Sequence, residues 1–131
     1  MAQKQMSFCL DTDVIIDCLR GTPKTIEWLT NNNTSKFYIP AVVAMELIIG
    51  SQNKSDQTRI RRFINQFEII WHTEADTKLA FNLLLTHKLS NGLSIPDCLI
   101  AATAIQRDFT LYTFNLKHFR IIANLDAKSP Y

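Results

Sequence analysis

Phe8-Cys9-Leu10-Asp11-Thr12-Asp13-Val14-Ile15-Ile16 opens as a strand and continues as a helix, with an acidic residue at the joint. Residues 7–11 alternate into an apolar run, a helix from about residue 12 to residue 20 follows at once, and Gly21 stops it. A carboxylate carried by such a segment is drawn toward the interior, where an unbalanced charge costs several kcal/mol and either shifts its pKa or finds a partner. Glu46, within Ala41-Val42-Val43-Ala44-Met45-Glu46-Leu47-Ile48-Ile49, and Asp97, within Leu93-Ser94-Ile95-Pro96-Asp97-Cys98-Leu99-Ile100, share that setting. None of these three acids has a Lys or Arg within four residues on either side, so the balancing charge is distant in sequence or is not protein.

Outward from this joint, Thr22-Pro23 supplies an N-cap followed by proline at the first helical position, opening a second helix through about Leu29. Phe37-Tyr38-Ile39 reads as a short strand, and Pro40 opens a helix that ends near Gly50. Ile60, Phe63, Ile64 and Phe67 form one apolar stripe at i, i+3, i+4, i+7 over residues 54–67, and residues 68–71 read as a strand. Thr73 caps a long helix to about Leu89, with Glu74 and Lys78 paired at i, i+4 and Asn91-Gly92 closing it. Pro96 starts a helix whose Cys98, Ala101, Ala102 and Ile105 make a small-residue stripe; residues 110–113 and 119–122 read as further strands. Strands alternating with helices imply right-handed crossovers. The expected fold is a three-layer α/β/α domain spanning residues 1–131, with a central, mostly parallel sheet of four to five strands.

A chain of 131 residues suits one domain with a real core, and its 47% apolar content carries no linker tract, charge block or repeat. No apolar run approaches the roughly 20 residues that cross a bilayer, and Met1-Ala2-Gln3-Lys4-Gln5 leads straight into a strand rather than a signal segment. A cytoplasmic protein without membrane contact is expected. Cys9, Cys18 and Cys98 are odd in number, lack Cys-x-x-Cys spacing and read as buried, reduced thiols. The net charge of +2 is too mild to mark a nucleic-acid binder by itself, but Arg59, Arg61 and Arg62 form one basic group and Lys117, His118 and Arg120 another. Each is either a phosphate-binding patch or a solvated face. Trp28 and Trp71 read as packing residues, and His72 and His87 as surface or capping residues.

In open parallel sheets, ligands bind beyond the carboxyl ends of the strands. Asp11 ends the first strand, Glu46 lies on the helix after the second, Asp97 opens a helix, and Asn115 follows the strand at 110–113. All-oxygen donors without His or Cys ligand spacing favour Mg2+ or Mn2+ over zinc. Such a site activates water and stabilises charge on a phosphoryl oxygen, the chemistry of phosphodiester hydrolysis. A cap or helix-end role explains Asp11, Asp13 or Asp97 taken singly, but a mid-helix Glu46 gains nothing from a cap.

Four stretches carry a family resemblance: Leu10-Asp11-Thr12-Asp13-Val14-Ile15-Ile16 with Leu19-Arg20-Gly21; Glu46-Leu47 with Gly50; Ile95-Pro96-Asp97-Cys98-Leu99-Ile100-Ala101-Ala102-Thr103-Ala104; and Leu111-Tyr112-Thr113-Phe114-Asn115-Leu116-Lys117-His118-Phe119. In that order, over nearly the whole chain, they resemble the PIN domains, and among them the VapC-type toxin ribonucleases of toxin–antitoxin pairs. The resemblance implies that Asp11, Glu46 and Asp97 are the central acids of a Mg2+ or Mn2+ site that cleaves RNA, supported by Thr12, Asp13, Thr113 and Asn115. Asn115 stands where relatives often have a fourth acid and His118 where many have Asp, which leaves three acids to hold one ion. A homodimer and inhibition by a small antitoxin are also implied.

For Asp13 a helix-start or supporting role is favoured over direct metal contact. Lys117 and Arg120 are the expected RNA contacts because they follow a strand whose end faces the site; Arg20 is a further candidate for phosphate or partner contact. The helices around residues 12–30 and 41–67 are the expected groove for a partner's amphipathic segment. Two other readings remain at this level: a PIN-like domain that binds RNA or protein without cutting it, and a haloacid-dehalogenase-type phosphatase suggested by Asp11-Thr12-Asp13-Val14. The second needs a downstream Lys and a late acidic pair, and no Asp-Asp or Asp-x-x-x-Asp follows an apolar strand.

Overall fold

The apolar run Phe8-Cys9-Leu10 has no polar face to offer solvent, and β1 (Ser7–Leu10) accordingly lies mid-sheet with all three side chains buried. The computed structural model describes residues 6–131; the reading of residues 1–5 lies outside them. Around β1 run β2 (Lys36–Pro40), β3 (Glu68–Ile70), β4 (Thr110–Tyr112) and β5 (Ala127–Lys128), in the order β3-β2-β1-β4-β5 and parallel throughout.

Helices α1 (Thr12–Leu19) and α2 (Pro23–Asn31) join β1 to β2, while α3 (Ala41–Ile49) and α4 (Lys54–Ile64) join β2 to β3. The long crossover to β4 carries α5 (Glu74–Asn91) and α6 (Ile95–Arg107), and the single turn α7 (Leu116–Phe119) follows β4. On one sheet face Phe8, Phe37 and Tyr112 surround Trp28 of α2, with ring centroids 4.7–6.4 Å apart. α6 packs against β4, and its buried Ala101, Ala102 and Ala104 permit close approach, with α5 running along α6. No helix among the described residues is long and apolar enough to cross a membrane.

Two elements depart from the sequence reading. Residues 119–122 are not a strand: Arg120 donates its amide to Leu116 at 2.9 Å and Ile122 to Phe119 at 3.0 Å. Phe119 and Ile122, three apart, are both buried, so their spacing suits a turn and not an alternating strand. The fifth strand is β5 instead, paired through Leu111 with Ala127 and Tyr112 with Lys128. Trp71 is 68% exposed rather than packed.

The chain ends of α5 and α6 are joined by charge. Asp76, fully buried in the first turn of α5, receives both Arg107 guanidinium nitrogens at 3.0 Å, and the Thr73 amide at 2.9 Å. Burial alone would raise the Asp76 carboxyl, but the guanidinium and the amide hold it below the ordinary carboxylate range. His72 adds a second tie: the Val42 amide in the first turn of α3 donates to Nε2 at 3.1 Å. The imidazole proton therefore sits on Nδ1, which lies 2.8 Å from the Thr103 hydroxyl of α6. The capping role expected of His72 is borne out, for a helix distant in sequence. The three cysteines are buried and free.

Removing one member of a buried ion pair strands the other, at a cost of about 3–5 kcal/mol. Arg107→Met should lower urea-unfolding stability by that amount, and adding Asp76→Asn should recover part of it. Equal stability of wild type and Arg107→Met would contradict this assignment.

Candidate functional site

The crossover from β1 leaves toward β2 and that from β4 leaves toward β5, so the carboxyl ends of these two adjacent strands open a crevice. Asp11 stands in it as the N-cap of α1, only 8% exposed. Its Oδ1 accepts the Thr12 amide at 2.7 Å and its Oδ2 accepts the Thr113 hydroxyl at 2.8 Å. Thr113, fully buried just past β4, also receives the Asn115 amide on Oγ1 at 2.9 Å. One hydroxyl thus couples Asp11 to the loop that carries Asn115.

Burial pushes the Asp11 carboxyl up to about 6, reinforced by the charges of Asp13 and Asp97 and opposed by the bonds from Thr113 and Thr12. Asp13 accepts the Phe114 amide on Oδ2 at 3.2 Å, while its Oδ1 is buried without a protein partner among the described residues. Burial raises Asp13 as well. Glu46 reaches the crevice from α3, where its Oε1 accepts the Thr12 hydroxyl at 3.0 Å.

Asp97 is the third residue of α6, and its Oδ2 accepts the Ser94 amide at 3.1 Å in a reciprocal capping box. The same Oδ2 lies 3.2 Å from His118 Nε2, near enough for an ion pair but not aligned for a hydrogen bond. Sequence reasoning missed both the box and this pair, although Ser94-x-x-Asp97 is a recognisable capping signature. Lys117 and Arg120 are exposed and line an open hollow with Asn115 and His118, so this basic group adjoins Asp97. Arg20 lies at the opposite end of α1 from Asp11, about 13.5 Å along the axis at 1.5 Å per residue.

The donor chemistry fits a hard divalent cation. The acids offer oxygen only, one of those oxygens is buried and unpartnered, and no Lys or Arg among the described residues pairs with Asp11, Asp13, Glu46 or Asp97. As arranged, though, no three His, Cys, Asp or Glu side chains among the described residues stand close enough to enclose a cation. Asp97 is turned to Ser94 and His118, and Glu46 to Thr12, so convergence requires these side chains to rotate.

A PIN-domain model matches residues 8–125, most of the chain. The chain belongs to the PIN-domain family. It is 32% identical to ribonuclease VapC2 of Rickettsia felis, over 92% of this chain and 95% of the relative, and 29% identical to ribonuclease VapC10 of Mycobacterium tuberculosis, over 93% and 91%. Among solved structures, VapBC2 of Rickettsia felis bound to a DNA fragment from its promoter has a TM-score of 0.77 and 28% identity, covering 95% of this chain and 98% of that one. The PIN-type α/β fold expected from the sequence is thereby established.

The raised Asp11 carboxyl has a consequence for stability. The folded protein keeps the Asp11 proton up to about pH 6, whereas the unfolded chain releases it near pH 4. Between those values the folded state binds more protons, so stability falls as pH rises, by about 3 kcal/mol in all. In EDTA, Asp11→Asn should be more stable than wild type above about pH 6.5 and match it below about pH 4. A variant no more stable than wild type near neutrality would refute the burial of this charge.

Proposed function

We propose that this protein is a divalent-metal-dependent endoribonuclease and the toxin half of a toxin–antitoxin pair. The observation that carries the proposal is the buried Asp11 carboxylate, held by Thr12 and Thr113 at the β1–β4 crevice with no basic partner among the described residues. The ribonuclease names of the related proteins support the activity, and the toxin–antitoxin complexes among the structural relatives support the pairing.

Asp11, Glu46 and Asp97 are the assigned ligands of one Mg2+ or Mn2+. A bound ion of this kind supplies Lewis acidity at a phosphoryl oxygen and lowers the pKa of its water. Thr113 and the Thr12 amide fix the Asp11 carboxylate, and the Thr12 hydroxyl orients Glu46. Asp13 braces the Phe114 amide and so the loop before Asn115. Lys117 and Arg120 bind RNA phosphates along the hollow that reaches Asp97 through His118, and Arg20 takes a phosphate further along the strand.

The inhibitor is a small protein whose amphipathic segment enters the groove between α1 and α4, where Leu19 and Phe63 form the floor and Arg59 and Arg62 the rim. A second copy of the chain covers the exposed Phe81, Leu85 and Leu89 of α5.

Purified protein should cleave RNA with Mn2+, cease in EDTA, and lose at least about 100-fold activity in Asp11→Asn or Asp97→Asn with its circular dichroism unchanged. Expression alone should arrest growth, and Glu46→Gln should relieve the arrest. Undiminished cleavage by both variants and in EDTA would sink the metal assignment; harmless overexpression of an RNA-cleaving protein would sink the toxin assignment alone.

The basic residues have their own test. Replacing Lys117 and Arg120 together by Ala should flatten the salt dependence of RNA affinity by about 1.4 in log–log slope, at roughly 0.7 per single-strand phosphate contact. An unchanged slope would return both residues to the solvated surface.

A further inference from the structure

We infer that Tyr131 is a positioning residue for the loop at residues 113–115, clamping it through a contact independent of the carboxylates. The inference rests on the nuclease reading only for its effect on cleavage. Thr25 of α2 is fully buried, and its hydroxyl lies 2.9 Å from the Tyr131 hydroxyl. That bond fixes the phenol end of a side chain that is otherwise 52% exposed. Lys24 Nζ sits 5.7 Å from the ring centroid, and the Phe114 ring lies 5.3 Å from it at 55°. A second bond, from the Ser129 hydroxyl to the Tyr131 main-chain oxygen at 2.9 Å, steadies the backbone.

Phe114 is the residue through which this anchor reaches the site. Its ring meets Tyr131, its amide donates to Asp13 Oδ2 at 3.2 Å, and its two neighbours are Thr113, bonded to Asp11, and Asn115. The loop's bonds to the acids run from the Thr113 hydroxyl to Asp11 and from the Phe114 amide to Asp13, while the Thr113 amide donates to the Lys128 carbonyl at 3.0 Å. The first two weaken when a cation draws charge from those carboxylates. The Tyr131 contact does not depend on the carboxylates, so it keeps Thr113 and Asn115 in register when that charge is taken up. Thr113 is the hydrogen-bond partner of the assigned ligand Asp11, and disturbing such a partner typically changes metal affinity by about 10–100-fold.

The test compares Tyr131→Phe, which keeps the ring and loses the hydroxyl, with Tyr131→Ala, which loses both. Hydrogen exchange is read first, without metal or RNA: the Phe114 and Asn115 amides should exchange at least about 10-fold faster in Tyr131→Ala, with the amides of β1 and α6 unchanged. Mn2+ affinity should fall about 10–100-fold in Tyr131→Ala, with much of it restored in Tyr131→Phe, and kcat should fall more than KM rises. Unchanged exchange at Phe114 and Asn115, or acceleration spread evenly through the core, would overturn the proposal. If the exchange result holds while wild type cleaves no RNA, the clamp stands and the nuclease reading is what fails.

Discussion

The two hydrogen bonds that reach the Asp11 carboxylate, from the Thr12 amide and the Thr113 hydroxyl, tie three elements to one charge. The first fixes where α1 begins, and the second fixes where the chain goes after β4. Both compete with the cost of burying an anion, and the competition is incomplete, since the carboxyl still sits at about 6. A group left in that state gains from any cation brought to it. The site thus carries a standing electrostatic demand that no Lys or Arg among the described residues meets.

The sheet order makes this demand local. Because β1 and β4 are neighbours although about a hundred residues separate them, Asp11, Asp13 and the Thr113–Asn115 loop meet at one crevice. Glu46 is brought in by the helix after β2, and Asp97 by the first turn of α6. His72 links α3 to α6, and the Asp76–Arg107 pair locks α6 to α5, so Glu46 and Asp97 are carried on helices held to one another by partly buried polar contacts.

Much of this was legible in the residues themselves. The Asp11 joint, the helix stops at Gly21 and Gly92 with φ of 69° and 67°, and the Glu74–Lys78 pair follow from local rules, which act within a turn or two. What escaped depends on distant partners. A two-residue strand, Ala127–Lys128, has no period to detect, and Phe119 with Ile122 mimics a strand until turn geometry buries both on one side. Arg107 and Asp76 are 31 residues apart and nothing near either announces the other. The convergence of the three acids was expected, yet Asp97 is engaged by Ser94 and His118, because a capping box satisfies a carboxylate locally. Trp71 shows the same limit from the other direction, since exposure of a large ring is a property of the whole surface.

The central claim is that a buried, partly protonated Asp11 takes part in holding a divalent ion. Calorimetric titration with Mn2+ at about pH 6, in two buffers of different ionisation enthalpy, counts the protons displaced by the metal. With the Asp11 carboxyl at about 6, at least about half a proton per ion should be released by wild type, and that contribution should vanish in Asp11→Asn. Mn2+ binding by wild type without proton release, or an equal release from the variant, would contradict the account.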